Sequence, residues 1–332
     1  MTTAERPMRV IGTNPVRPDG VDKVTGHAVY GADVRLQGML HGRVKRSPHA
    51  HALIKSIDAS KALALPGVHA VVTYDDFPEP TDPIMQTIRG PQPAQWDLER
   101  MMARRKVLFK GHPVAAICAA DPHLAEDALA LIEVEYEVLP AVVSLNDALA
   151  PDAPILHDDG LADQVDGLFE SVDGQPTNIA RTVEMGFGDI EAGFADAEVV
   201  LERVFETGMA HQGYIETHNG TAMWNNDGKV TIWTSTQGAF GIRMNVARIL
   251  NLPLGDLRVI PTEIGGGFGA KNVVYLEPLA ALLSKKSGHP VQITMNRAEV
   301  LEATGPTSGT RTWIKLGAKR DGSIVAADLK LE

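Results

Sequence analysis

The sequence predicts an α/β (α+β) fold in two domains, and three observations support this class. The chain has 332 residues, more than one typical small domain contains. Hydrophobic residues make up 44% of it and charged residues 22%, proportions typical of globular proteins. Runs with the period of a strand alternate with runs that have the period of a helix, and glycine, proline or aspartate separates them.

Composition excludes several classes of function. The net charge of −11 argues against a nucleic-acid surface. A single cysteine, Cys118, excludes an internal disulfide and any iron–sulfur cluster held by this chain alone. No apolar run reaches the roughly 18 residues that span a bilayer, and "MTTAERPMRV" has no apolar leader. We therefore expect a cytoplasmic protein without a membrane segment.

The first domain is predicted over residues 21–150, after a polar N-terminal arm at residues 1–20. Its clearest part is a strand–helix–strand unit. "PVAAICAA" is typical of a buried strand, and Asp121 with Pro122 is a cap followed by proline at the first helical position. Leu124, Ala128, Leu131 and Ile132 are then predicted to share one helical face. "EVEYEV" alternates as a half-exposed strand does.

Residues 151–180 predict an acidic linker. Seven acids, and no lysine or arginine, occur between Asp152 and Asp173. Such stretches are usually solvated connectors.

Residues 181–332 predict a second domain. Strands are expected at "ADAEVVLERVFETG", "KVTIWTSTQ" and "VQITM". A helix with Leu276, Leu279 and Leu283 aligned ends at Gly288, and a hairpin follows around residues 320–322. The strand pattern continues to residue 332, so the sheet is expected to be completed by a partner chain.

The loop at residues 265–269, "GGGFG", is the main candidate for a binding site. A phosphate-binding P-loop needs serine or threonine after the lysine, and here Asn272 follows Lys271. Gly265, Gly267 and Ala270 match the loosest dinucleotide-binding spacing, but no acid for a ribose ends the next strand. A glycine turn required only for strand-to-helix packing is the third alternative.

Longer motifs favour a fourth interpretation. They are "STQ" at 235–237, "IGGGFGAKN" at 264–272, "GFGDIEAGFADAEVVLERVFETGMAHQGYIETHNGTA", "DKVTGHAVYGADV", "RSPHAHALI", "LPGVHAVVTYDDFP" and "VLFKGHPVAAICAADPHLAEDALALIEVEYEVLPAV". The chain thereby resembles the large molybdenum-cofactor subunit of the xanthine oxidase and aldehyde oxidase family, which includes aerobic carbon monoxide dehydrogenase. The order of the motifs is similar to an α/β hammerhead domain followed by the first part of a cofactor-binding domain. Only the N-terminal portion of a typical family subunit is covered, as in relatives with a divided subunit such as nicotinate dehydrogenase.

The resemblance implies which residues contact the cofactor. A molybdenum ion held by a pterin needs no protein ligand, so the contacts are backbone amides and neutral donors. Gln237 matches a glutamine that approaches the metal's oxo ligand, and Phe268 matches the backbone segment against the metal. Gly266, Gly267 and Gly269 permit that approach. Asn272 matches a position that faces the substrate, where purine oxidisers carry an acid.

The resemblance also implies a reaction and a set of partners. The reaction is hydroxylation of an N-heterocycle or an aldehyde with oxygen from water, and electrons leave through [2Fe–2S] and FAD subunits. The pterin is expected in its plain or its cytosine dinucleotide form. A second chain is expected to complete the subunit and to carry the catalytic base, so neither Glu216 nor Glu263 is assigned that role. The alternatives are a non-catalytic assembly scaffold and a dinucleotide-binding oxidoreductase.

Two histidine groups could be mistaken for metal sites. His49 and His51 lack a nearby acid or cysteine, so packing or loop hydrogen bonds are expected there. His211, Glu216 and His218 form a denser group. Structural hydrogen bonding is expected for this group as well.

Overall fold

In a computed structural model, residues 9–81, 84–87, 90–157, 171–172, 175–180 and 182–332 are described. Part of the predicted arm and most of the predicted acidic linker, with every acid of it except Asp152, lie outside the described residues.

Strands and helices follow one another along the whole described chain. The strands are β1 Leu40–Arg46, β2 Ala52–Asp58, β3 Val68–Val72, β4 Ile84–Thr87, β5 Gly90–Pro93, β6 Lys106–Val107, β7 Pro113–Ala119, β8 Glu133–Val138, β9 Ser171–Val172, β10 Gln175–Pro176, β11 Val199–Thr207, β12 Asn219–Trp224, β13 Val230–Thr234, β14 Leu257–Pro261, β15 Val291–Thr294, β16 Thr310–Ala318 and β17 Ile324–Leu331. The helices are α1 Gly20–Thr25, α2 Ser60–Leu63, α3 Ala94–Met101, α4 Pro122–Ala130, α5 Leu145–Leu149, α6 Ile190–Ala195, α7 Ala239–Ile249, α8 Glu277–Ser287 and α9 Arg297–Ala303. None of these helices is both long and apolar enough to span a bilayer.

A seven-stranded mixed sheet organises the molecule, in the order β14-β13-β12-β15-β1-β7-β3. Its centre joins the two predicted domains, because β1 pairs in parallel with β15. The main core cluster likewise contains residues from both regions, such as Val44 and Ile293. The division into domains stays a prediction, but the two segments share one sheet and one core.

The predicted strand–helix–strand unit consists of β7, α4 and β8. Every residue of β7 is buried, as expected for this apolar run. The Asp121 side chain caps α4 by accepting hydrogen bonds from the amides of His123 and Leu124. The two strands do not pair with each other: β7 lies in the seven-stranded sheet, and β8 lies in the sheet β6-β2-β8.

The predicted apolar face of α4 was partly wrong. Ala125, Ala128 and Ile132 are buried, whereas Leu131 is exposed. The helix ends at Ala130, and Leu131 is the capping residue beyond it. The helical period therefore no longer determines the direction of its side chain.

Helix α8 packs against β12 and β3 of the sheet. Its buried residues run without a break from Glu277 to Ser284, so it is enclosed on more than the single predicted face. It ends at Gly288, which takes a left-handed φ of 71° that favours glycine. Its first residue, Glu277, is buried and accepts hydrogen bonds from the Thr234 hydroxyl and from the Tyr275 and Leu276 amides. Burial raises the pKa of the Glu277 carboxyl, and these donors offset part of the rise.

A separate three-stranded sheet, β11-β16-β17, contains the predicted terminal hairpin. β16 and β17 pair antiparallel, and β11 pairs with β16 along its whole length. Among the described strands, no other strand pairs with β11 or with β17, so both are edges of this sheet.

Candidate functional site

The glycine loop lies between β14 and a 3₁₀ turn at Ala270–Asn272. Three of its residues have left-handed backbones, with φ of 99° at Gly266, 51° at Phe268 and 93° at Gly269. A Cβ on Gly267 would lie 2.5 Å from the Gln237 Oε1 atom, so this position admits only glycine without rearrangement. The loop is therefore built for close packing against Gln237 on one side and for backbone exposure on the other.

Gln237 is tied to the loop through its oxygen. Its side-chain Oε1 accepts hydrogen bonds from the Gly269 amide at 3.0 Å and the Lys271 amide at 3.3 Å. The backbone N–H of Gln237 donates to the Lys271 carbonyl at 3.0 Å. Gln237 is exposed, and its side-chain Nε2 donates to none of the described residues. The carboxamide is thus oriented with its oxygen toward the loop and its two N–H donors available.

Three successive backbone amides in the loop are also unpaired among the described residues. The N–H groups of Gly266, Gly267 and Phe268 donate to no acceptor within the described part of the chain. The Gly269 amide is not free, because it donates to Gln237. Unpaired amides in succession favour an anionic ligand. The Phe268 residue is 73% exposed.

A buried ion pair lies under the loop. The Lys271 side chain is fully buried, and its Nζ contacts Glu216 Oε2 at 2.7 Å and Ser235 Oγ at 2.8 Å. The same carboxylate oxygen accepts hydrogen bonds from Ser235 Oγ and the Gly265 amide, both at 2.7 Å. These contacts join the start of the loop, its end and the segment that carries Gln237.

Opposing effects act on the pKa of Glu216. Burial raises it, but hydrogen bonds from Lys271, Gly265 and Ser235 outweigh burial and hold the pKa below its ordinary value. Burial also lowers the pKa of Lys271, and Glu216 partly offsets this. Glu216 is therefore a structural carboxylate that is ionised at neutral pH, and not a poised base. Glu263 is likewise engaged, because its carboxylate pairs with Lys23 at 2.9 Å.

Asn272 lies at the exposed end of the same turn. Its Nδ2 is 3.5 Å from the Gly269 carbonyl, a weak contact that leaves the side chain free to meet another molecule. The structure therefore gathers Gln237, the glycine loop and Asn272 in one place. Ser235 and Lys271 were not predicted as part of this site, although both lie inside the motifs that identified it.

The other candidate groups have structural roles. His211 Nε2 bonds the Thr304 hydroxyl at 2.8 Å, and His51 Nδ1 bonds the Pro140 carbonyl at 2.6 Å. Among the described residues, no group of three or more histidine, cysteine, aspartate or glutamate side chains could hold a metal ion. The dinucleotide alternative also loses support, since α8 begins five residues after Asn272 and its N-terminus is not formed by the loop.

His218 contacts the edges of two aromatic rings, with ring centroids 5.3 Å from Tyr214 and 4.8 Å from Tyr275. Burial lowers its pKa to about 3, and burial lowers the pKa of His112 to about 4. Both folded values lie below the usual value of about 6.5. As pH falls below this usual value, His218 and His112 therefore bind protons in the unfolded chain before they do so in the folded chain.

We expect the free energy of unfolding to decrease as pH falls from 6.5 to 4. Each of the two histidines contributes up to about 1.4 kcal/mol per pH unit. Urea titrations at several pH values measure the slope, and His218→Phe removes one histidine's share of it. An unchanged slope in that variant would show that His218 protonates in the folded protein.

Unpaired amides beside the N–H donors of a carboxamide suit an anionic ligand, and comparison with known proteins identifies the class of the chain. Residues 171–331 match the molybdopterin cofactor-binding domain, and residues 25–140 match the a/b hammerhead domain of aldehyde oxidase and xanthine dehydrogenase. The chain belongs to the aldehyde oxidase and xanthine dehydrogenase family of molybdopterin-binding proteins. The resemblance and the fold class predicted from the sequence are confirmed.

Individual relatives differ in length. The chain is 35% identical to a probable xanthine dehydrogenase subunit of Bacillus subtilis, over 95% of this chain and 39% of the relative. It is 31% identical to the nicotinate dehydrogenase large molybdopterin subunit of Eubacterium barkeri, over 97% of this chain and 70% of the relative. The solved structure of reconstituted CO dehydrogenase from Oligotropha carboxidovorans matches with a TM-score of 0.80 and 35% identity, covering 96% of this chain and 39% of that one. This chain thus spans about two fifths of the length of the Bacillus subtilis relative.

Proposed function

We propose that this chain is the N-terminal half of the cofactor-binding subunit of a molybdenum hydroxylase, which hydroxylates an N-heterocycle or an aldehyde with oxygen from water. One observation carries the proposal. Within the described part of the chain, three successive amides of the loop are unpaired, and the neighbouring Gln237 has its side-chain oxygen bonded and its nitrogen free. A bulky anionic cofactor needs such neutral donors at close range, and the loop supplies them without a Cβ in the way.

Each residue of the loop has its own role in this proposal. The amides of Gly266, Gly267 and Phe268 bind the cofactor, and Gln237 Nε2 donates a further hydrogen bond without adding charge. Gly269 acts indirectly, because its amide orients the Gln237 side chain. Gln237 and Phe268 would lie beside the metal without ligating it. The bound molybdenum–pterin group would supply the two-electron redox chemistry.

Asn272 is the proposed substrate contact. It is exposed at the end of the loop, and its side chain is neutral. The carboxamide can donate and accept hydrogen bonds, but it cannot bind a cationic or strongly proton-donating group as an acid can. We infer a substrate other than xanthine itself.

The remaining parts of the enzyme are proposed to lie on other chains. A second chain is proposed to complete the subunit and to carry the general base. An iron–sulfur subunit and an FAD subunit carry electrons away, and the pterin is in its plain or cytosine dinucleotide form. No nucleic acid or membrane takes part, and the complex is cytoplasmic.

Replacing Gln237 with glutamate tests the proposal. The introduced carboxylate still accepts from the Gly269 and Lys271 amides, but it replaces the free N–H donors with a negative oxygen. We expect molybdenum in the purified complex to fall at least about tenfold, equivalent to about 1.4 kcal/mol of binding, while circular dichroism is unchanged. Metal analysis by mass spectrometry measures the content, and Gln37→Glu, the same change at another exposed glutamine, is the control.

Three outcomes separate the alternatives. Unchanged molybdenum in Gln237→Glu would favour an assembly scaffold with all cofactor contacts on the partner. A wild-type complex without molybdenum would refute the proposed function. Loss in both glutamine variants would indicate a general sensitivity to added negative charge and not a contact at Gln237.

A further inference from the structure

The sheet β11-β16-β17 has two chemically different faces. Residues directly opposite one another across paired strands project from the same face. The strand register therefore places one apolar set together, which we call the apolar face: Val199, Leu201, Phe205, Ile314, Leu316, Ala327, Leu329 and Leu331. The same register places Glu202, Lys315 and Asp328 on the opposite face.

Helix α6 packs on the opposite face, and none of the described residues covers the apolar face. The Phe194 ring of α6 lies 4.5 Å from Lys315 Nζ and close to Gly317, both of which project from the opposite face. On the apolar face, Leu201 is 55% exposed, and Phe205 and Leu329 are each 59% exposed. A contiguous exposed patch of large apolar side chains marks an interaction site.

Both edges of this sheet also lack a strand partner within the described chain. The backbone groups of β11 and β17 that point outward can therefore pair with another polypeptide. An uncovered apolar face between two open edges is suited to a protein partner and not to a small molecule.

Charge identifies the partner as a different chain. Arg203 lies in the middle of β11, opposite Ile314, and so projects from the apolar face. Its Nη1 donates only to the neighbouring Glu202 carbonyl, and the facing positions of β16 and β17 carry no acid. A second copy stacked face to face would bury two arginines without a carboxylate, which is unfavourable. The partner must bring an apolar surface with its own acid.

We propose that the apolar face docks the chain that completes the cofactor-binding subunit, with a carboxylate of that chain opposite Arg203. This inference rests on the proposed function, in which such a chain exists. Docking on this sheet would use both the side chains of the apolar face and the open backbone edges of β11 and β17.

Photo-crosslinking in the intact complex tests the location. Benzoylphenylalanine replaces Leu201 on the apolar face, and in a matched control it replaces Val204, which is 57% exposed on the opposite face of the same strand. We expect mass spectrometry to identify crosslinks from position 201 to a chain with the missing part of the family subunit, and at least about tenfold fewer from position 204. In parallel, Leu201→Glu is expected to release that chain from the complex, whereas Val204→Glu retains it.

The outcomes distinguish this inference from the proposed function. Crosslinks from position 201 to a second copy of this chain, or equal crosslinking from both positions, would overturn the docking surface. So would a completing chain that co-purifies with Leu201→Glu as it does with the wild type. In each of these cases, a wild-type complex that contains molybdenum would still agree with the proposed function. A wild-type complex without molybdenum would refute the proposed function too.

Discussion

Replacing Lys271 with methionine is expected to lower the free energy of unfolding by about 3–5 kcal/mol, since removing one member of a buried ion pair leaves an uncompensated charge. Lys271 is 1% exposed, and its ammonium contacts Glu216 at 2.7 Å. Methionine fills a similar volume, so the loss reports the charge and not a cavity. Urea denaturation measures it, and Lys229→Met, at an exposed ion pair with Asp227, is the control with little expected effect.

The pH dependence of this loss gives a second test. In the wild type the pKa of Glu216 is held low, so the stabilisation it contributes is present above the unfolded pKa and is lost as pH falls through the folded pKa. In Lys271→Met, burial acts without the lysine and the folded pKa of Glu216 rises. The penalty should therefore shrink as pH falls from 7 toward 5, and Glu216→Gln with Lys271→Met should recover part of it at pH 7. A penalty independent of pH, with no recovery in the double variant, would contradict the ion-pair explanation.

Gly267→Ala is expected to remove most of the bound molybdenum. The new Cβ would lie 2.5 Å from Gln237 Oε1 and 2.7 Å from its Cδ, so the carboxamide must leave its position. The Gln237 carboxamide then loses its hydrogen bonds from the Gly269 and Lys271 amides. Its free N–H donors no longer lie beside the loop. We expect molybdenum to fall at least about tenfold and stability to fall by about 1–3 kcal/mol, as for other overpacked sites.

Gly241→Ala is the matched control for this prediction. Gly241 lies within α7, where an added Cβ meets nothing within 4 Å. Alanine in a helix is favoured over glycine, so this variant should be equally or slightly more stable, by up to about 1 kcal/mol. Molybdenum retained in Gly267→Ala, with the fold intact, would mean that the Gln237 orientation does not matter for binding.

Local patterns predicted many elements because short-range physics determines them. The buried run of β7, the Asp121 cap of α4 and the Gly288 end of α8 are all found as predicted. Each depends on residues within a few positions: apolar continuity, a side-chain acceptor for free amides, and a glycine that tolerates a left-handed φ. Helix α1, at Gly20–Thr25, was not predicted.

Tertiary contacts decided the rest. The pairing of β1 with β15 joins residues about 250 positions apart, and no local pattern specifies that partner. The Lys271–Glu216–Ser235 contact was missed for the same reason. Lysine at that point of a loop looks like a surface residue, and only its burial against a distant carboxylate reveals its role.

The sequence by itself determined the family, the glycine loop and the neutral residue at position 237, because these are chemical identities that motifs carry directly. Only the tertiary structure decided which donors are free. The fold pairs the Gly269 amide with Gln237 and leaves the amides of Gly266, Gly267 and Phe268 without acceptors in the described chain. Within the same described residues, it also leaves one face of the sheet β11-β16-β17 uncovered. The physical reason is that availability depends on what occupies the space around a group, and this is set by residues that are distant along the chain.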